Sequence, residues 1–540
     1  MVLEQQRAMA SSEKPVTSAH YEHEVTPATP GSEFVVEEQK RYFGQTKGAW
    51  YIYWICGVAS IANIFQGFDN GMYSIILSDD KFLDYFNLFG ARQGAVASMM
   101  SLGCIIANFF ISWWFIWFLG RRWTFIMGTF VVFVGVALQA GAVSYAMIII
   151  GRIIAGIGAA ILGTNLAAYQ AEVSSPLIRG RVVSTVQLSY QVGALIAYCV
   201  GLGTVHIAGN NSWRTSTAVQ LVPGLILVLA ALTLPESPRW LMEKHPDQPD
   251  RVLTLLAKIR CLPEQHPEVQ SEFMDLVAAH QYRVEYEGAF TWRKFFSSYS
   301  IWKRLAYGMA TMALGQISGV SALMQYGVLI YRSLGFSGTT ESLLLNVVSG
   351  LLCLLATAIT MSGVDKWGRR PTLIAGSAIM VISYIIIAAL ADAYPAASNF
   401  NRVAAGWQVA FIYIIQMSYS GALGPCAWIY ACEIFPSDLR DKGVNISQSG
   451  QQITSLWISQ AWPSMFDNVG HDAYWILMGI NVIGLVVVIL FWPETKGVSL
   501  EHMDSIFGEA DKVDAWRANK KEEPAVGGGK APEEGEGVPV

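Results

Sequence analysis

The sequence predicts an all-α membrane protein, with twelve transmembrane helices built as two six-helix pseudo-repeats and joined by a helical linker outside the bilayer. Three observations predict it. Only 14% of the 540 residues are charged, where soluble domains carry about 25%. Apolar runs recur along the chain and give a mean hydropathy of +0.37; at about 20 residues and a rise of about 1.5 Å each, they cross a hydrocarbon core of about 30 Å. Motifs of the first half reappear in order in the second. The spans are helices because lipid offers the backbone no hydrogen bonds, and the runs lack the two-residue alternation of an outer-membrane barrel. A net charge of -5 without a long Lys/Arg run argues against nucleic-acid binding. Cys56, Cys104, Cys199, Cys353, Cys426 and Cys432 lie in or at the ends of apolar runs and form no CxxC pair, so they read as packing residues, and no metal or cofactor is expected.

Along the chain, residues 1–48 are polar and lack a signal-peptide pattern, so a disordered tail precedes the first span. Spans are expected near 49–77, 92–116, 123–143, 144–167, 182–205 and 214–234, which form an N-terminal bundle over 49–234. The linker, 235–303, contains DRVLTLLAKIR and SEFMDLVAAHQYRV, whose spacing predicts short amphipathic helices. Spans near 304–330, 341–364, 371–393, 405–432, 443–465 and 473–492 form a C-terminal bundle over 304–492, and residues 493–540 form a mostly disordered tail. Arg121, Arg122, Arg179, Arg181, Lys366, Arg369, Arg370, Arg440 and Lys442 fall in alternate loops, which places those loops and both termini in the cytoplasm.

The halves repeat in detail. GRRWT at 120–124 returns as GRRPT at 368–372, Glu172 with Arg179 returns as Glu433 with Arg440, and PESPRW at 235–240 returns as PETKG at 493–497. Two related six-helix halves about a central cavity are the architecture of a carrier that rocks one half against the other. PESPRW and PETKG are expected to cap the sixth and twelfth spans.

YQAEVSSPLIRGRVVSTVQL, LPESPRWL, DKWGRRPT, CEIFPSDLRDKG and FWPETKG together resemble the sugar porter family of the major facilitator superfamily, in its fungal branch. The resemblance implies the major facilitator fold and a secondary carrier, working by alternating access, with a sugar, a proton and the lipid bilayer as partners. It also implies a plasma-membrane location and a monomeric unit.

Asp69, in QGFDNG, falls inside the first span, where a carboxylate is costly unless it is paired, wetted or protonated. Arg152 in the fourth span lies at a matching depth and is the expected partner. The resemblance gives these two positions the role of proton-coupling pair: protonating Asp69 would release Arg152 and let the first and fourth helices rearrange. A permanent structural ion pair, or a carboxylate held by amides at Gly67 and Gly71, is the alternative.

A sugar stripped of water needs donors and acceptors near the midplane and an aromatic face. Gln187, Gln316 and Gln451 lie at suitable depth, with Trp428 in the tenth span, and by resemblance all four match sugar-contacting positions. The seventh-span string GQISGVSALMQY adds Ser321, Gln325 and Tyr326, but Gly315, Ser321 and Gln325 replace the Gln, Asn and Tyr usual in the family, and Cys353 stands where Asn is common. This start is similar to fungal disaccharide carriers. A neutral mono- or disaccharide or a polyol is the substrate class, since no cation besides Arg152 lies at depth to hold an anion. Arg121, Arg122, Glu172, Arg179, Asp365, Arg369, Arg370, Glu433 and Arg440 are expected to form a cytoplasmic latch of ion pairs between the bundles. Proton symport is the first reading, with a passive facilitator and a non-transporting sugar sensor as alternatives. No nucleophile with a base and no phosphate loop supports an enzyme or an ATP-driven pump.

Overall fold

The computed structural model describes residues 47–174, 179–282, 299–336, 338–395, 401–435 and 439–495. The expected terminal tails lie outside these residues, as do the side chains of Arg179 and Asp365. The chain falls into two units, Met1–Ala49 and Trp50–Val540, and the architecture is that of the second.

Nine helical runs among the described residues are long and apolar enough to cross a membrane. Two of them, Ala91–Ala140 and Lys442–Phe491, are 50 residues each, which at helical rise is about 75 Å and more than twice a bilayer core. Each therefore holds two spans. The first breaks at Gly120, whose φ of 80° is outside the helical region, and the second at Gly470, with φ 61°, followed by a short 3₁₀ turn. A further span is bent by 72° between Tyr299–Gln325 and Gly327–Ser333. The total is twelve.

In order, the spans are Lys47–Ile76; Ala91–Ile106 continuing to Gly120; the remainder of Ser112–Ala140 beyond Gly120; Tyr145–Val173; Arg179–Thr204; and Asn211–Ala218 with Leu221–Ala231. The second half repeats them as Tyr299–Gly315 continuing to Ser333; Thr339–Trp367; Arg369–Ala393; Arg402–Ser418 continuing to Glu433; Arg440–Val469; and Ala473–Phe491. These match the twelve expected segments to within a few residues. The bundle is apolar on its surface, where Phe110, Leu229, Ile483 and Leu490 are exposed, and buries polar groups such as Asp69, Arg152, Asn165 and Gln448 among the apolar side chains of its interior. That inversion suits a molecule whose solvent is lipid.

Among the described residues, three spans contain one π-helical turn each: Ala107–Ile111 in the second, Gln316–Val320 in the seventh and Tyr419–Leu423 in the tenth. Such turns free backbone groups and widen the helix locally. Gly424-Pro425 lies where the tenth span returns from π to α geometry, and proline supplies no amide to the preceding turn. The halves meet along two lines, the second span against the eleventh and the fifth against the eighth.

Among the described residues the linker forms three helices, Pro238–Lys244, Pro249–Arg260 and Pro267–Tyr282. Their apolar faces share a small core of Met242, Val252, Leu256, Val269 and Phe273. Arg260 joins this core to the fourth span: it pairs with Glu272 at 2.6 Å and donates to the Val173 carbonyl at 2.9 Å.

Candidate functional site: a polar cavity beside a buried ion pair

Asp69 is fully buried, and its Oδ2 accepts from Nη1 of Arg152 at 2.5 Å. The expected pair is present. Gly67 and Gly71 do not hold the carboxylate; they let the first span approach the fifth, where a Cβ on Gly71 would lie 2.8 Å from the Ala194 carbonyl oxygen and one on Gly67 would strike that of Tyr190. The other carboxylate oxygen, Oδ1, has no hydrogen-bond partner.

Arg152 is held on every side. Its Nε donates to the Val96 carbonyl at 3.0 Å and its Nη2 to that of Ala97 at 3.1 Å, both in the second span. Its guanidinium carbon lies 3.7 Å from the centre of the Tyr73 ring, in a cation–π contact. Tyr73 in turn donates to Oε1 of Gln139 at 2.6 Å, and Gln139 donates to the Gly151 carbonyl at 3.0 Å. Two buried charges are tolerated only when their remaining hydrogen-bonding groups are met. Arg152 satisfies that condition and Asp69 meets it by half.

Beside the pair lies a cavity walled by both halves. Gln66, Asn70, Ser101, Arg152 and Tyr190 line it from the first half, and Gln316, Ser321, Gln325, Gln451, Gln452 and Ser455 from the second, with Met100, Met324 and Cys104 between them. Arg152, already paired, is the one charged residue among these. Uncharged amides and hydroxyls at this density suit a neutral solute rich in hydroxyl groups. Gln316 is fixed from two sides: its Nε2 donates to Tyr419 Oη at 2.6 Å, and its Oε1 accepts from Ser321.

Of the residues expected at the substrate, Gln316, Ser321, Gln325 and Gln451 line this cavity. Gln187, Tyr326 and Trp428 do not. Gln187 packs against Gly424, where a Cβ would lie 2.8 Å from its amide carbon; Tyr326 is buried and donates to the Ser459 carbonyl at 2.9 Å; and Trp428 is buried in the tenth span. Several lining residues escaped sequence reasoning, among them Gln66, Asn70, Tyr190, Gln452 and Ser455. Signals for some of them were there to use: Gln66 and Asn70 belong to QGFDNG itself, and Ser455 lies one helical turn beyond Gln451. Tyr419 had no such signal, because its contact with Gln316 depends on the π turn that carries it.

Hydrogen bonds join the halves at the Ile76 end of the first span. Gln325 donates to Asn70 Oδ1 at 3.1 Å, Asn346 to Ser74 Oγ at 3.1 Å, Arg332 to the Ser78 carbonyl at 2.8 Å and Ser98 to Gln460 Oε1 at 2.8 Å. At the opposite end lie the repeated motifs. Arg121 pairs with Glu172 at 2.5 Å and Arg369 with Glu433 at 2.8 Å. Both of these pairs join residues of one half.

PESPRW and PETKG also do something other than expected. Glu236 accepts the backbone amides of Arg121 at 2.5 Å and Arg122 at 3.3 Å, and Glu494 those of Arg369 at 3.0 Å and Arg370 at 3.1 Å. They cap the N-termini of the third and ninth spans instead of closing the sixth and twelfth, because a carboxylate matches the unpaired amides and positive dipole of a helix start. Gly120 and Gly368, with φ of 80° and 89°, make the turns that present those amides; a Cβ at either would lie 2.9 Å from the capping carboxylate. Arg122 lies over the Trp123 ring, Arg370 donates to the Ile489 carbonyl at 2.6 Å, and Arg440 is buried at the start of the eleventh span. Trp117 receives Lys244 over its ring at 4.0 Å.

A family model described as "Sugar (and other) transporter" matches residues 55–507. The chain is 28% identical over 463 residues to the MFS-type transporter criB of Aspergillus cristatus, covering 85% of this chain and 94% of that one. It is 29% identical over 505 residues to high-affinity glucose transporter 1 of Candida albicans, covering 88% and 89%. Among solved structures, the proton:xylose symporter XylE bound to 6-bromo-6-deoxy-D-glucose superposes with a TM-score of 0.73 at 22% identity, over 85% of this chain and 100% of that one, which is a likeness of fold.

Proposed function

The chain belongs to the sugar (and other) transporter family, the sugar porters of the major facilitator superfamily, and from that premise we propose that it imports a neutral sugar or polyol together with a proton, by alternating access. As a member of that family it is a multi-pass membrane transporter and not an enzyme. The observation that carries the finer reading is the adjacency of a half-satisfied buried carboxylate to an uncharged polar cavity. Arg152, the partner of Asp69, itself lines that cavity. A proton on Asp69 dissolves the pair, frees the first span from the fourth, and acts on Asn70, the next residue, which binds Gln325 across the halves. Proton occupancy thereby biases the closure of the Ile76 end.

Gln316, Ser321, Gln325 and Gln451 bind the sugar in this reading, and Gln187, Tyr326 and Trp428 come into play only as the halves part. Residues 49–234 and 304–492 move as the two bundles, with 235–303 as linker and 1–48 and 493–540 as tails. Arg121, Arg122, Glu172, Arg179, Asp365, Arg369, Arg370, Glu433 and Arg440 act as the cytoplasmic latch, with ion pairs that join the bundles when the site opens outward and break when it opens inward. Both termini face the cytoplasm of a plasma-membrane monomer. A passive facilitator is the second reading, favoured by the carbonyls of Val96 and Ala97, which hold Arg152 whether or not Asp69 is charged.

The test is uptake of labelled mono- and disaccharides and polyols by the protein in liposomes, with and without an inward proton gradient. Accumulation above equilibrium that collapses with a protonophore is the expected result. Equilibration without accumulation selects the facilitator, and binding without flux a sensor.

A further inference from the structure

A second group of buried amides lies outside the cavity already described. Asn63 and Gln66 of the first span and Gln448 of the eleventh converge on Gly163 of the fourth: a Cβ on Gly163 would lie 3.5 Å from Gln448 Nε2, 3.7 Å from Asn63 Oδ1 and 3.7 Å from Gln66 Oε1. Asn63 is 2% exposed and Gln448 is wholly buried. Asn63 uses its Nδ2 on the Val186 carbonyl at 2.7 Å, but its Oδ1 has no partner, and neither does either end of the Gln448 amide.

Unpaired buried amide atoms cost about 1–3 kcal/mol each, and two of them, Asn63 Oδ1 and Gln448 Nε2, brought to one spot between two halves with Gln66 Oε1 beside them are poor scaffolding. They are a donor and acceptors waiting for a solute. Gln66 belongs to both groups, since it also lines the main cavity. From Asn70 to Asn63 the first span rises about 10 Å, a length that one pyranose ring cannot cover.

We infer that Asn63, Gln66 and Gln448 form a second hydroxyl-binding subsite, continuous with the main cavity through Gln66, for the far end of a neutral polyhydroxylated substrate longer than one sugar ring, such as a disaccharide. The inference rests on the sugar-carrier reading and names its substrate class. The subsite opens as the halves part, because Gln448 belongs to one half and Asn63 and Gln66 to the other. It contains no charged group, so it adds length without admitting an anion.

The experiment measures equilibrium binding of matched mono- and disaccharides to the full-length protein in lipid nanodiscs, for the wild type, Gly163→Val and Gln448→Leu. Gly163→Val fills the space between the amides without removing any of them, and Gln448→Leu removes two unpaired atoms. The expected result is that the wild type binds at least one disaccharide more tightly than its component monosaccharide, and that each variant weakens the disaccharide about tenfold while leaving the monosaccharide within about twofold. Retained monosaccharide binding also shows that a variant is folded. If Gly163→Val loses all binding, Gly163→Ala, whose Cβ meets only ordinary contacts, replaces it. A parallel loss of both sugars, no loss of either, or a wild type that binds monosaccharides alone overturns the subsite, whose amides then hold water only. A wild type that binds no sugar or polyol overturns the carrier reading itself.

Discussion

The two halves of the molecule are built alike at their ends and differently in their interiors. At the motif end each half has a glycine of positive φ, a glutamate from a later segment capping the helix start beyond it, and an Arg–Glu pair beneath: Gly120, Glu236 and Arg121–Glu172 in the first, Gly368, Glu494 and Arg369–Glu433 in the second. Midway through the bundle the likeness stops. Tyr413 stands as far before Glu433 as Arg152 stands before Glu172. It reaches the Leu345 carbonyl at 2.9 Å, and Leu345 stands as far before Gly368 as Ala97 does before Gly120. The helix-to-helix contact is therefore shared, but a neutral phenol replaces the guanidinium. Where Arg152 meets Asp69, Tyr413 meets the ring of Tyr331 at 6.2 Å. Two of the three π turns, and the 72° bend, lie in the second half. Duplication preserved the scaffold; the charge stayed in one half, while the deformable helices and most of the cavity amides gathered in the other.

The sharpest way to break that comparison is to neutralise the charged half. Asp69→Asn is expected to abolish accumulation of substrate in liposomes while exchange between the two sides continues; a variant that still concentrates substrate would remove the first half's special role. Next comes the pair itself. Asp69→Ala leaves a buried cation and should cost about 3–5 kcal/mol, read as a large fall in melting temperature in detergent, whereas Tyr413→Phe should cost only about 0.5–1.5 kcal/mol for one hydrogen bond. Equal losses would mean that the interiors are not differentiated after all.

The ends should respond as equals. Glu236→Ala and Glu494→Ala each strip acceptors from two helix-starting amides, and each is expected to cost about 1–3 kcal/mol; a large difference in melting temperature between them would show that the repeated caps do not share one role. The smallest effect concerns pH. Burial raises the Glu236 carboxyl above its usual range, and the amides of Arg121, Ser237 and Arg122 only partly restore it. A carboxyl raised in the folded state adds stability that is full below its unfolded value of about 4.3 and is lost as pH rises through the folded value. Melting curves of wild type and Glu236→Gln should thus separate with pH, the wild type losing ground to the variant above about pH 4.3.

Much of this was legible without coordinates. The length of each apolar run fixes a helical span, and the pairing of Asp69 with Arg152 follows from matching depth in neighbouring helices. Four of seven expected substrate residues line the cavity because depth is a one-dimensional property of a helix that can be counted. Rotation about the helix axis is harder to count once a π turn or a 72° bend intervenes, and Tyr326 and Trp428 lie beyond those features. The capping glutamates were misassigned for another reason. Pro-Glu strings were matched to the helices they follow, but the amides that they serve are more than a hundred residues away in the chain.

The sequence by itself determined the twelve spans, the duplication and the partners in the Asp69–Arg152 ion pair, since each depends on hydrophobic length, order or the cost of a charge in lipid. Only the tertiary structure decided which faces of those helices turn inward. Packing of small residues such as Gly67 and Gly71 sets how near two helices come, and that distance determines whether an amide meets a partner, lines a cavity or is left without one, as Gln448 is.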